Sequence, residues 1–331
     1  MKFVSYQHPE LGERAGYLQH DHVLDLALAQ GHAQEQGRCL SQRPLPVTMA
    51  GILELEGEGL QAARAIAEYT ANTQVASLPF ALPLERAQLL APVPRPRSFR
   101  DFYAFEEHVK TARGRRGLEM VPEWYDFPVF YFSNHNAFVG TDALVERPAY
   151  TKWLDFELEI ACVIGKTGRD IKASDAAQHI AGFAILNDWS ARDVQREEVK
   201  VGLGPAKGKD FATSMGPYLL TLDELEDVRD GDRWNLEMTA KVNGQELSRG
   251  NFRTIYFSFA DLIARASEGV TLYPGDVIGS GTVGTGCILE LGTDVHRWLE
   301  PGDLVEMEIE RLGVLRNTVK EEGGSGCAIL S

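Results

Sequence analysis

The sequence predicts an α+β, β-rich protein with a small N-terminal module, and three observations lead to that fold class. Beyond residue 85, most apolar runs are short and strand-like. Only a few stretches place apolar residues at helical spacing. Five prolines fall within residues 79–96, which predicts an extended connector and a boundary near residue 85. The expected organisation is therefore a module at 1–85 and a larger body at 86–331, in which mixed or antiparallel sheet dominates.

The elements follow in order. MKFVSYQ, RAGYLQ and HVLDLALA read as short strands, and residues 49–70 as mainly helix. After the connector FALPLERAQLLAPVPRPRS, strands are expected at PVFYFSN, FELEIACVIG, EMTAKVNGQEL, DVIGSGTV and LVEMEIERLGVLRN. Helical stretches are expected at DAAQHIAGFAILN, with a strand reading open at its end, and at SARDVQREEVK and FSFADLIARASE. Pro-Gly-Asp turns at 274–276 and 301–303 each precede an apolar run, as turns that feed strands do. No internal repeat is visible. The tail EEGGSGCAILS reads as loose, with its last apolar residues open to docking.

Composition narrows the function. The chain has 331 residues, 44% of them hydrophobic, enough for a substantial core. A net charge of -15 repels phosphate backbones, which argues against nucleic acid as a partner. No run approaches the roughly 18 apolar residues of a membrane span, and MKFVSYQHPE turns polar too early for a signal peptide. Cys39, Cys162, Cys287 and Cys327 show no zinc spacing, and Cys327 does not fit a prenylation box. A reduced cytoplasm is the expected location.

The run LDFELEIACVIG poses a physical question. On one strand, Asp155, Glu157 and Glu159 would share a face and repel one another. Either they lie on a solvent-facing edge, or a hard cation takes their oxygens. The buried character of the continuation, Ala161–Ile164, argues against a simple edge. In NDWSARDVQ, a helix starting near Asp188 would put Asp188, Arg192 and Gln195 on one face. That is a cap with an i,i+4 ion pair, or an acid facing a metal beside groups that hold an anion. Asp101, Tyr103 and His108 lie in SFRDFYAFEEH. Lys110, Arg113, Arg115 and Arg116 follow as a basic cluster, read as a solvated helix face or a place for an anionic substrate. GPAKGKDFAT lacks the phosphate-loop pattern but offers Lys209 as an oxyanion partner. In DVIGSGTVGTGCILEL, glycines permit close approach to a ligand, and Glu290 sits in an apolar run where it needs a partner.

In their order and spacing, DFYAFEEH, LDFELE, NDWSARDVQ, GKDFAT and SGTVGTGCILEL resemble the fumarylacetoacetate hydrolase family, over residues 90–315 or so. The resemblance implies a mixed β-roll, usually homodimeric, often with a small N-terminal β-module. It implies Asp101, Glu157, Glu159 and Asp188 as ligands of Mg²⁺ or Ca²⁺, with Mn²⁺ as a further option; Asp155 matches no ligand. His108 matches the family's catalytic base and Glu290 the acid that orients it. Arg192, Gln195 and Lys209 match residues that hold developing negative charge. Tyr103, Tyr131 and Thr282 match substrate-pocket positions.

The activity implied is metal-dependent hydrolysis of a C–C bond in a small anionic diketo acid, such as fumarylacetoacetate or an acylpyruvate. Other members run decarboxylation, isomerisation or dehydration on the same metal–enolate core, so a decarboxylase or isomerase of a keto-diacid is the alternative. A non-catalytic metal-binding protein is the remote one. Many smaller members carry a His-x-x-Glu pair. Here Thr111 follows His108 by three, and Glu290 instead resembles the fumarylacetoacetase branch.

Overall fold

The computed structural model describes residues 1–323. The expected loose tail with its docking residues, and Cys327, lie largely or wholly outside them. Among the described residues, no helix is long and apolar enough to cross a membrane.

The chain opens with a meander: β1 (Lys2–His8), β2 (Gly12–Gln19) and β3 (His22–Asp25). The strand expected over HVLDLALA stops at Asp25, because its side chain caps α1 (Leu26–Glu35) by accepting the Leu28 N–H. Asp25 also pairs with Arg14 and Tyr6, so the cap is anchored inside the module. Residues 49–70 form α2 (Met49–Glu54) and α3 (Gly57–Thr70), broken at Leu55–Glu56. The proline-rich connector contributes β4 (Ala81–Pro83), and Gln88–Leu89 pairs with β1.

The body adds β5 (Phe99–Phe102), α4 (Glu106–Gly114), β6 (Phe130–Phe132), β7 (Leu144–Arg147), β8 (Leu158–Ile164) and β9 (Ile180–Asp188). The helix expected over DAAQHIAGFAILN is one 3₁₀ stretch, Ala173–His179. The rest is β9, whose β-branched and aromatic residues sit between two strands. Then come α5 (Arg192–Glu198), β10 (Thr213–Leu220), β11 (Glu237–Val242) and β12 (Gln245–Asn251). EMTAKVNGQEL is a hairpin here, turning at Asn243-Gly244, both with positive φ. α6 (Phe259–Ser267), β13 (Val277–Gly279), α7 (Ile288–Leu291), β14 (Leu304–Ile309) and β15 (Gly313–Glu321) complete the fold. Both Pro-Gly-Asp turns feed strands, β13 and β14.

One large sheet runs β4-β3-β2-β1-β10-β9-β8-β13-β5-β6. The strands of the first 85 residues thus continue the body's sheet through the β1–β10 pairing. A second sheet runs β12-β11-β14-β15-β7. The large sheet divides two cores. From β8, Leu158, Ile160, Cys162 and Ile164 join one core with Met238, Met307, Ile309 and Phe259 of the second sheet and α6. Ala161 and Val163 join the other, with Leu26, Ile52, Ala63 and Ile66 of α1–α3. The period of 2 along a strand buried on both faces explains the unbroken apolar run. It also makes β8 central: β9 and β13 flank it.

Candidate active site

The site sits where β5, β9 and β13 end and β8 begins. Asp101 on β5 lies beside Gly279 on β13. A Cβ on Gly279 would stand 2.3 Å from Asp101 Oδ1, so glycine gives that carboxylate its room. Glu159 is the second residue of β8, and Glu157 precedes the strand with its N–H donated to Asn187 Oδ1 at 3.0 Å. Asp188 ends β9, one residue past the Leu158–Asn187 pair. The four carboxylates of Asp101, Glu157, Glu159 and Asp188 are buried, and an oxygen from each lies within 4.8 Å of the others. A solvent-facing edge is thereby excluded as the reason for the acids.

Asp155 goes elsewhere, so the three acids do not share one face. The strand is interrupted at Phe156–Glu157, and Asp155 turns to accept the N–H groups of Ile288 and Leu289 at 2.8 and 3.0 Å. The expected helix face of Asp188, Arg192 and Gln195 is also corrected. The helix starts only at Arg192, and the Asp188–Arg192 pair does not form. Asp188 instead meets Lys209 Nζ at 2.7 Å. Arg192 reaches Asp155 at 2.8 Å and Glu157 at 2.7 Å. It also donates to Gln195 Oε1 at 2.9 Å. Lys209 binds Glu157 as well. Tyr131 donates to Asp101 at 3.1 Å and to Asp188. The Gly281 N–H reaches Glu159 at 3.1 Å, and Thr282 Oγ1 lies 3.5 Å from the same carboxylate.

The electrostatics show a shortage of positive charge. Five buried carboxylates, Asp155 included, meet two buried cations, Lys209 and Arg192. Burial, followed by repulsion from Asp188, pushes Asp101 up to about 8. Burial with Asp101 and Glu157 nearby raises Glu159 well above the carboxylate range. Burial raises Asp188 despite Lys209. Only Glu157 moves the other way, because Lys209 and Arg192 outweigh its burial. Asp188 Oδ1 is buried without a hydrogen-bond partner. A converging all-oxygen donor set, an orphaned oxygen and uncompensated negative charge together fit a hard divalent cation.

Beside this cluster, α4 places His108 against α7. His108 Nδ1 lies 2.8 Å from Glu290 Oε2, in close approach but not as an aligned hydrogen bond. Both side chains are at least 95% buried. Glu290 Oε1 accepts the Thr285 N–H at 3.1 Å. The Tyr103 ring meets His108 edge-on at 5.3 Å. Burial pushes the Tyr103 phenol up to about 12, against the pull of Arg116 and Arg113. Arg113 and Arg116 donate to the Glu119 and Ala112 carbonyls at 2.6 and 3.2 Å. Arg115 is committed elsewhere: it donates to the Glu290 and Leu291 carbonyls at 3.1 and 2.7 Å, tying α4 to α7.

The structure brings together all twelve residues singled out from the sequence. It adds Asp155, Thr285, Cys287, Gly279 and the Gly281 N–H, which sequence reasoning missed as parts of the site. Asp155 carried a signal, an acid in a buried run without a partner. The others act through backbone or through proximity that only folding creates.

Comparison with known proteins places this geometry in context. The family model described as fumarylacetoacetate (FAA) hydrolase C-terminal matches residues 97–320. Oxaloacetate tautomerase FAHD2A, mitochondrial, of Homo sapiens is 37% identical over 282 residues, covering 83% of this chain and 80% of its own. Fumarylacetoacetase of Arabidopsis thaliana is 33% identical over 243 residues, covering 58% of each chain. The solved structure of a fumarylacetoacetate hydrolase from the psychrophile Exiguobacterium antarcticum superposes with a TM-score of 0.71 at 25% identity. It covers 97% of this chain and 100% of its own.

Proposed function

The chain belongs to the fumarylacetoacetate hydrolase family, and on that premise we propose that it is a metal-dependent hydrolase cleaving a C–C bond in a 1,3-diketo acid such as fumarylacetoacetate or an acylpyruvate. The observation that carries this reading is the buried His108–Glu290 pair standing beside four converging carboxylates. A proton-transfer pair at that place suits the activation of water.

Asp101, Glu157, Glu159 and Asp188 would hold Mg²⁺ or Ca²⁺, with Mn²⁺ as a further option. When bound, the cation supplies Lewis-acid polarisation of the substrate oxygens. His108 takes a proton from water, and Glu290 holds the ring and stabilises the imidazolium. The hydroxide adds to the acyl carbonyl carbon. Lys209 faces the charge that develops on that oxygen. Gln195 has its carbonyl taken up by Arg192, which leaves its amide N–H groups for the same oxygen. As the C–C bond breaks, the electron pair becomes an enolate, held by Arg192, and His108 returns its proton to the enolate carbon. One water is consumed, giving a ketone and a carboxylic acid that loses its proton to solvent. Arg113 or Arg116 would meet the substrate's distal carboxylate, since Arg115 is held against α7.

A second reading is keto–enol isomerisation of a keto-diacid. The name of the human relative, oxaloacetate tautomerase, favours it. There His108 would move a proton between carbon and oxygen, and no water would be consumed. The two readings separate in ¹⁸O-water with Mg²⁺-loaded protein. Label in a product carboxylate from fumarylacetoacetate or an acylpyruvate, lost in His108→Ala, supports the hydrolase. Conversion of enol-oxaloacetate with no cleavage of either diketo acid supports the tautomerase. We also propose a homodimer, which light scattering after gel filtration tests.

A further inference from the structure

The water-activating pair has a third neighbour. Cys287 Sγ lies 3.5 Å from Glu290 Oε2, and ligand atoms of His108, Cys287 and Glu290 all fall within 4.8 Å of one another. All three side chains are buried. Cys287 holds the position preceding α7, and Glu290 lies within that helix, so the backbone sets the two side chains on one short turn. His108 arrives from α4, which Arg115 ties to the same turn. His108 Nδ1 is buried without an aligned hydrogen-bond partner, and its nearest acceptor is Glu290.

We infer that His108, Cys287 and Glu290 form a second cation site, selective for a thiophilic divalent ion of the zinc class. The donor types decide the class. One nitrogen, one sulfur and one carboxylate oxygen match the ligands zinc takes, whereas Mg²⁺ and Ca²⁺ take oxygens. The spacing agrees. Bonds of about 2.0–2.3 Å in a tetrahedron separate ligand atoms by roughly 3.3–3.5 Å. The Cys287–Glu290 separation already has that value, and the His108–Glu290 contact opens by about half an ångström. Three protein ligands leave a fourth position for water. Binding releases the thiol proton to solvent. The two adjacent clusters thus sort cations by softness: four carboxylates for a hard ion, an N,S,O set for a soft one.

Occupation has a functional consequence. A cation there takes the His108 nitrogen and the Glu290 oxygen, so the pair no longer accepts a proton from water. Zinc then inhibits while the hard-ion site stays filled. This consequence rests on the role proposed for His108; the binding does not.

Co²⁺ reads the site directly, because thiolate ligation gives a near-ultraviolet charge-transfer band that carboxylates alone do not. The protein carries Cys39→Ser and Cys327→Ser and is saturated with Mg²⁺ before titration. The expected result is a charge-transfer band that saturates at one equivalent and is displaced by Zn²⁺. The band is lost in Cys287→Ser and retained in Glu159→Gln. Far-ultraviolet circular dichroism and the Mg²⁺-induced rise in Tm establish that Cys287→Ser is folded, and His108→Ala offers a second variant in which the band must weaken or shift. No band, or a band unchanged in Cys287→Ser, overturns the site. In activity assays, Zn²⁺ inhibits the Mg²⁺-saturated parent, and at least tenfold more is needed in Cys287→Ser. A band without inhibition upholds the site and refutes instead the role given to His108.

Discussion

Asp155 and Arg192 form a buried ion pair, Oδ2 to Nε at 2.8 Å, that joins two halves of the site. The same carboxylate accepts the first two N–H groups of α7, the helix that carries Glu290. Arg192 in turn grips Glu157. One acid therefore sets the distance between the four-acid cluster and the His108–Glu290 pair. Burial raises the Asp155 carboxyl, while Arg192 and the helix N–H groups oppose that rise. Asp155→Ala leaves a buried guanidinium and two N–H groups short of a partner. The expected loss is about 3–5 kcal/mol. Urea unfolding checks it as a lower midpoint at unchanged slope.

The four-acid cluster makes a prediction of opposite sign. In the metal-free protein Glu159 is repelled by its neighbours, so Glu159→Gln should leave stability equal or higher. Metal binding should reverse the order. At a hundredfold excess over Kd, Mg²⁺ adds about 2.7 kcal/mol to the wild type and little to the variant. Calorimetric scans with and without Mg²⁺ measure both effects.

Gly279→Ala tests the room reserved for Asp101. The added methyl would meet Asp101 Oδ1 at 2.3 Å and Leu186 Cδ2 at 3.1 Å. The carboxylate is the part able to swing away, so the expected outcome is a folded protein with at least tenfold weaker Mg²⁺ binding. Titration calorimetry checks the affinity and circular dichroism the fold.

Far from the site, Asp303 provides a pH prediction. Burial raises its pKa, but Arg297, the Glu300 N–H and Asn243 outweigh this and hold it at about 2. A depressed folded-state value stabilises above the unfolded value of about 3.9, and the contribution fades as pH falls toward 2. Asp303→Asn should lose about 1–2 kcal/mol at pH 7, allowing for the half-exposed Arg297. The difference from wild type should shrink below pH 4 and be mostly gone by pH 2. Unfolding midpoints across pH 2–7 report it.

Much of this was legible in the chain. Alternation identified β8, the Pro-Gly-Asp turns punctuated strands, and motif order carried the family resemblance. These are local features, and strand period or turn chemistry needs no distant partner. Other features depended on partners far away in the chain. DAAQHIAGFAILN held both helical and strand patterns, and pairing on both sides of β9 selected the strand. Asp188 fits a helix cap or an acid facing a metal in the sequence, and β9 carries it to the sheet's end, next to Lys209.

The sequence by itself determined the strand-rich class and which acids, bases and cations a site could draw on. The tertiary structure alone decided which acid serves which purpose. Asp155 and Glu157 are two residues apart, yet a break in the strand sends one to cap α7 and the other to Lys209 and Arg192. Cys287 became part of a donor set in the same way, because α4 and α7 dock against each other. Charges and donors interact through space, over a few ångströms, and only the folded backbone defines those distances.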